Sequence, residues 1–157
     1  MDKEYKKLLI ISNSRSGSTN KLCAEALVDI KNSNDFNIIT YSKDSLTANA
    51  QDVINIDAII LGSSENFGYM SGAMKVFLEN IYYEVIERKR GLPFGIIIKA
   101  GTSGIGAYNG IKKITDAMGW KEALEPLIVV GKITEIHLKE ARLFGQTLAA
   151  GLDLGIY

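Results

Sequence analysis

The sequence predicts an α/β fold: a three-layer sandwich in which helices cover both faces of a five-stranded parallel sheet ordered 2-1-3-4-5, as one domain over residues 1–157. Two observations predict it. Short apolar runs alternate with segments of helical spacing. Loops rich in glycine and hydroxyls follow only the first, third and fourth of those runs.

The strands are expected at Leu8–Ile11, Phe36–Tyr41, Ala58–Leu61, Gly95–Ile98 and Leu127–Val130. Four of them are nearly continuous Ile, Leu and Val, the composition of strands covered on both faces. The first helical stripe is Leu22, Cys23, Ala26, Leu27 and Ile30; the next, within a helix from Ser71 to Glu87, is Met74, Phe77, Leu78, Ile81 and Val85. Ile111, Ile114 and Met118 form a further stripe, and Ala141, Phe144, Leu148 and Leu152 the last, while Ser45–Ile56 holds one short helix. Alternation of strand and helix calls for right-handed parallel crossovers. The loop chemistry then selects the order. Ligands bind beyond the carboxyl ends of strands where the order reverses, and only 2-1-3-4-5 makes strands one, three and four neighbours.

A chain of 157 residues can bury roughly 68–70% of its unfolded surface, so its core needs neither disulfides nor metal. The 18 basic and 18 acidic residues cancel, which supplies no general field for nucleic acid or an anionic membrane. Cys23 is the single cysteine, which excludes an intrachain disulfide and a thiolate metal cluster, and no metal site is expected. The charged start, Met1 to Lys7, leads into only four apolar residues, and no run approaches the ~20 of a membrane span. A soluble, cytoplasmic protein is expected.

The first loop, Ser12 to Thr19, places Ser14, Ser16, Ser18 and Thr19 around Gly17 and opens straight into a helix. Unpaired N–H groups at a helix N-terminus favour an anion, and short hydroxyls add donors, so this loop reads as a phosphate site. No lysine lies within it, and the only Gly-Lys pair, Gly131-Lys132, is followed by Ile133, so a nucleoside-triphosphate P-loop is unsupported. In the second loop, Asn66, Phe67 and Gly68 followed by Tyr69 and Met70 set flat apolar groups beside peptide groups, which suits a planar aromatic ligand. Phe67 reads as a ligand contact; Met70 reads equally as a contact or as core beneath the next helix. The third loop, Ala100 to Gly106, offers small residues to a ligand's polar edge, although its glycines run in the wrong order for a dinucleotide fingerprint.

Other chemistries fail at these positions. A phosphorylated receiver needs acidic residues after the first strand and an aspartate ending the third, where this chain has Ser12-Asn13 and Leu61-Gly62. A cysteine phosphatase needs its nucleophile in the first loop, whereas Cys23 lies on the apolar helix face as a core thiol. His137, the only histidine, reads as structural or surface, and Trp120 as a core or interface anchor. The charge runs Lys3–Lys7 and Glu87–Arg90 read as solvated ends.

The run Ser14-Arg15-Ser16-Gly17-Ser18-Thr19 resembles the hydroxyl-rich FMN phosphate loop of flavodoxins, S/T-x-T-G-N-T. Gly62-Ser63-Ser64-Glu65-Asn66-Phe67-Gly68-Tyr69-Met70-Ser71-Gly72, continuing to Lys75-x-Phe77, is similar to the second flavin loop of the NAD(P)H-dependent FMN reductase branch, which includes the tryptophan-repressor-binding-protein-like quinone oxidoreductases. That branch commonly has proline where this chain has Ser64, and its larger members carry insertions absent here. The resemblance covers essentially the whole chain and implies a single flavodoxin-like, FMN-binding domain. Ser14, Arg15, Ser16, Gly17, Ser18 and Thr19 would hold the phosphate. Ser64, Glu65, Asn66, Phe67 and Gly68 would flank the isoalloxazine, and Ala100, Gly101, Thr102, Ser103 and Gly104 would line its far side. The implied activity is hydride transfer from NAD(P)H through FMN to a quinone-like acceptor, with no catalytic acid or base nominated; the alternative is a one-electron carrier serving a redox protein. Members of the branch usually close their sites with a neighbouring subunit. Tyr82 and Tyr83 therefore stand either at a homodimer contact or within their own chain.

Overall fold

The computed structural model describes residues 4–157; the charged start at Met1–Lys3 lies outside the described residues. The elements in chain order are β1 (Lys6–Ser12), α1 (Ser18–Asn32), β2 (Ile38–Asp44), α2 (Ala50–Ile54), β3 (Ala58–Asn66), β4 (Tyr69–Met70), α3 (Gly72–Val85), β5 (Pro93–Ala100), α4 (Ile105–Ala117), β6 (Lys121–Glu122), β7 (Leu127–Val130) and α5 (Glu135–Asp153). The sheet runs β2-β1-β3-β5-β6, parallel throughout this path, with β7 also on β5 and β4 antiparallel on β3. This is the expected order and the expected sandwich.

Alternation along each strand sends side chains to two separate cores. Leu9, Ile11, Ile59, Leu61, Ile96 and Ile98 meet α2, α3 and α4 through Val53, Met74, Phe77, Leu78 and Ile111. Leu8, Ile10, Ala58, Ile60 and Ile97 meet α1 and α5 through Leu22, Leu27, Phe144 and Leu148. Trp120 lies in the first core beside Phe94, and Met70, 3% exposed, packs there too, so both act as core residues. His137 accepts the Thr134 N–H at Nδ1 (3.0 Å) and so caps the start of α5, a structural role. No described helix is long and apolar enough to cross a membrane.

The sheet has seven strands rather than five, for two local reasons. The expected fifth strand is β7, Leu127–Val130, and a separate two-residue strand, β6, precedes it and pairs with the opposite end of β5. Pro126 lies between them and has no N–H to give a ladder. The additional β4 forms because Phe67 (φ 53°) and Gly68 (φ 71°) make a two-residue reversal between Asn66 and its partner Tyr69. Positive φ at both central residues is the type I′ signature, whose twist suits a hairpin. The second strand sits two to three residues later than its apolar run suggests, at Ile38–Asp44, because it follows the register of β1 from Lys6 to Ser12. Ser71 lies just outside α3 as its N-cap, its Oγ accepting the Met74 N–H at 3.2 Å.

Cys23 is buried, and burial pushes its thiol up to about 12 against a hydrogen bond with Ser12 that lowers it. It lies directly over Gly62 of β3, where a Cβ would overlap Sγ. Gly62→Ala should therefore destabilise by about 1–3 kcal/mol, the usual cost of overpacking. The same substitution in a Cys23→Ala background should cost clearly less. Urea unfolding of the two single variants and the double variant measures this coupling.

Candidate functional site

The carboxyl ends of β1, β3 and β5 are adjacent, so the three loops meet above them. In the first, Gly17 (φ 86°) caps α1 in the left-handed region that glycine tolerates best, and its side contributes no capping hydrogen bond. The first intrahelical bond is Lys21 N–H to the Gly17 carbonyl at 2.9 Å, so the N–H groups of Ser18, Thr19 and Asn20 precede the ladder. Ser16 Oγ approaches the Ser18 N–H at a long 3.4 Å and the Ser18 hydroxyl at 3.2 Å. The first turn of α1 carries no acidic residue. A helix end with free N–H groups, hydroxyls around it and no carboxylate is suited to an anion. The loop's base is fixed by Ser12 Oγ donating to Asn20 Oδ1 (2.9 Å) and by Asn13 Nδ2 donating to Asp44 Oδ2 (3.0 Å).

The second and third loops are tied together by Glu65. Its carboxylate accepts the Gly104 and Ala107 N–H groups, each at 3.1 Å, and approaches the Thr102 hydroxyl at 3.4 Å. The Ala107 N–H is the main cause holding this carboxyl below its ordinary range, with the other donors assisting and partial burial opposing. Glu65 is thus the cap of α4, supplied from another strand. The hairpin then rests on α4 so closely that a Cβ at Gly106 would overlap the Gly68 carbonyl oxygen. Ser63, fully buried, accepts the Ser71 N–H (2.9 Å) and donates to the Ser64 carbonyl (2.8 Å), which fixes the return of the hairpin into α3.

A cleft of about 230 Å³ opens between the loops, lined by Ser14, Arg15, Ser16, Ser18, Thr19, Ser64, Glu65, Asn66, Lys99, Ala100 and Gly101. Ten of these are sequence-predicted site residues, brought together from all three loops. Of the others, Gly17 shapes the α1 end, Gly104 caps α4, Thr102 leans on Glu65, and Ser103 Oγ accepts the Ile105 N–H at 3.3 Å. Phe67 stands wholly exposed at the hairpin tip with Gly68 beside it. Lys99 is the lining residue that sequence reasoning passed over. Its signal was a lysine closing the apolar run Phe94–Ile98 one residue before the third loop.

A second, larger hollow of about 610 Å³ lies between α3 and α4, walled by Tyr69, Leu78, Tyr82, Tyr83 and Ile114. Tyr82 packs partly against the core, and Tyr83, 87% exposed, meets its ring edge-on at 5.2 Å. No group of three or more His, Cys, Asp or Glu suited to a metal occurs among the described residues.

No protein-family model matches the sequence, and no curated protein does either. Solved structures do match. An archaeal flavodoxin superposes with a TM-score of 0.79 at 21% identity, over 93% of this chain and 98% of that one. A flavodoxin, WrbA-like protein from Agrobacterium tumefaciens gives 0.78 at 14% identity, over 94% and 97%. Rubredoxin oxygen:oxidoreductase from Desulfovibrio gigas gives 0.79 at 18% identity, over 96% of this chain and 37% of that one. The fold is the flavodoxin-like sandwich.

Glu65→Gln should loosen the junction of the second and third loops and destabilise by about 1 kcal/mol, the typical worth of a helix cap. The sign with pH follows from the lowered carboxyl. Its stabilisation is complete above the unfolded value near 4.3 and is lost as pH falls through the lower folded value. The gap between wild type and Glu65→Gln in urea unfolding should therefore be full at pH 7 and shrink below about pH 4. A constant gap down to pH 2.5 would contradict the charged role.

Proposed function

We propose that this chain binds FMN in the three-loop cleft and carries reducing equivalents from NAD(P)H to a quinone or a similar small acceptor. The observation behind the reading is the open N-terminus of α1 among hydroxyls, in one cleft with the ends of β3 and β5. The residues suit both ends of such a cofactor. Ser14, Ser16, Ser18, Thr19 and the free N–H groups of α1 would take the phosphate, where charge-assisted hydrogen bonds are about twice as strong as neutral ones. Asn66 and the backbone of Phe67, Gly68 and Ala100–Ser103 would offer polar groups to the edge of a flat ring. When bound, FMN supplies the hydride and electron chemistry. Glu65 is a positioning residue: its carboxylate is spent on α4 and fixes the spacing of the loops on either side of the ring.

The cleft is open to solvent, and three exposed aromatic groups lie along its hairpin and α3. Phe67 is fully exposed, and Tyr69, Val76 and Tyr83 are exposed as well. Aromatic side chains are enriched at interfaces, so the proposal includes a homodimer that covers this strip and closes the site. A one-electron carrier is the second reading, favoured by the end-to-end structural likeness to flavodoxins. The zero net charge counts against it, because carriers depend on a field to steer towards partners.

FMN should bind the apoprotein clearly more tightly than riboflavin in fluorescence titrations. Ser16→Asp should abolish FMN binding while the thermal midpoint holds or rises. A carboxylate at that position would answer the α1 N–H groups itself and repel a phosphate by several kcal/mol. Retained FMN in this variant would place the phosphate elsewhere.

Anaerobic mixing of the FMN-loaded protein with NADPH or NADH should bleach the flavin in one two-electron phase, and a quinone should restore it. Two well-separated one-electron potentials with no response to either nucleotide would favour the carrier. Light scattering at micromolar concentration should show about twice the 17.2 kDa chain mass; a monomer that still turns over quinone would remove the dimer.

A further inference from the structure

The phosphate loop contains no lysine, yet a cation reaches the same cleft from a different strand. Lys99 is the penultimate residue of β5, half-buried, and lines the cleft together with Ser14, Ser16, Ser18 and Thr19. Strand alternation fixes its direction. Ile96, Ile98 and Ala100 pack into the core under α3 and α4, whereas Ile97 packs into the core under α1. Lys99 shares the Ile97 side and therefore points to the layer whose helix begins at Ser18. Its register neighbour across the sheet, Ser64 of β3, lies on that side as well. The ammonium donates to the Ala100 carbonyl at 3.3 Å and makes no ion pair among the described residues. Glu65, the carboxylate in the same cleft, follows Ser64 and so points to the opposite side, where α4 consumes its charge.

We infer that Lys99 is the counter-charge of the cofactor phosphate, supplied by β5 to a loop that carries only neutral donors and the exposed Arg15. The inference rests on the proposed binding of FMN. A partly desolvated ammonium without a carboxylate partner favours a dianion more than an exposed one does, because water screens it less. It confers selectivity for a phosphorylated flavin, and the flavin ring itself gains nothing from it.

Equilibrium titration of the apoproteins with FMN and with riboflavin tests this without any turnover. Lys99→Gln should weaken FMN at least about tenfold, the effect of losing one charge-assisted hydrogen bond, and leave riboflavin unchanged. FMN affinity in the variant should also depend less on salt than in wild type, and Lys99→Arg should keep most of the affinity. Equal losses for FMN and riboflavin would put Lys99 at the ring or in the fold and overturn the inference. So would unchanged affinity for both. A wild-type chain that binds neither flavin would remove the FMN reading itself, and the inference with it.

Discussion

The cleft depends on the Glu65 carboxylate more than on any other single group. The loops that follow β3 and β5 belong to adjacent parallel strands, and nothing in the sheet itself fixes how far they stand apart above it. Glu65 does so by accepting two N–H groups from the start of α4. The contact also decides which helix end is available. All five helices begin at this edge of the sheet, and the loops leading into α1 and α4 line the cleft. The α4 end is neutralised from within by a carboxylate, so an anion entering the cleft meets only the α1 end unanswered. The absence of a Cβ at Gly106 is part of the same arrangement, since the hairpin backbone lies where that atom would be.

Strand alternation then separates opposite charges that the sequence brings to one place. Glu65 and Lys99 stand one register step apart on neighbouring strands, because Ser64 is the partner of Lys99. Placed on the same face they would pair and cancel. On opposite faces, the carboxylate serves α4 and the ammonium stands on the α1 side. The sheet thereby divides one loop cluster into a part committed to structure and a part equipped for an anion. Ser63, buried and doubly bonded, belongs to the first part; Ser64, half-buried in the cleft wall, belongs to the second.

The fold was legible because buried parallel strands write themselves as continuous Ile, Leu and Val, and because their order can be inferred from which loops carry ligand chemistry. The hydroxyls of Ser14 to Thr19 were legible for a similar reason: four donors in six residues exceed the need of one turn. Glu65 was recognised as a site residue but not as a cap, since its partners lie 39 and 42 residues further along the chain. Lys99 was missed because a lysine closing an apolar run is ordinarily a solvated strand end, and only the three-dimensional parity of β5 turns it into the cleft. The hairpin at Phe67 was hidden by composition, as phenylalanine is not a turn residue. The two-residue β6 was hidden because Lys121–Glu122 carries no apolar run.

Phe67 is the one non-glycine residue with positive φ among the described residues. A bulky side chain at φ 53° costs about 1–2 kcal/mol relative to glycine, and asparagine would form the same type I′ turn with less strain. Such a cost persists in a fold when the residue contributes something in return. Within this chain the phenyl ring contributes no packing, being fully exposed at the hairpin tip, while its neighbours Met70 and Ser71 are buried. The hairpin itself is held by Ser63, Glu65 and the Gly106 approach, none of which uses the ring. Phenylalanine at this position is therefore explained by what lies outside the chain's own core. The tip stands between the cleft and the exposed strip of α3, where a flat ligand and a second copy of the chain would both meet an aromatic face. Strain, exposure and position together are what the proposed flavin site would call for at Phe67.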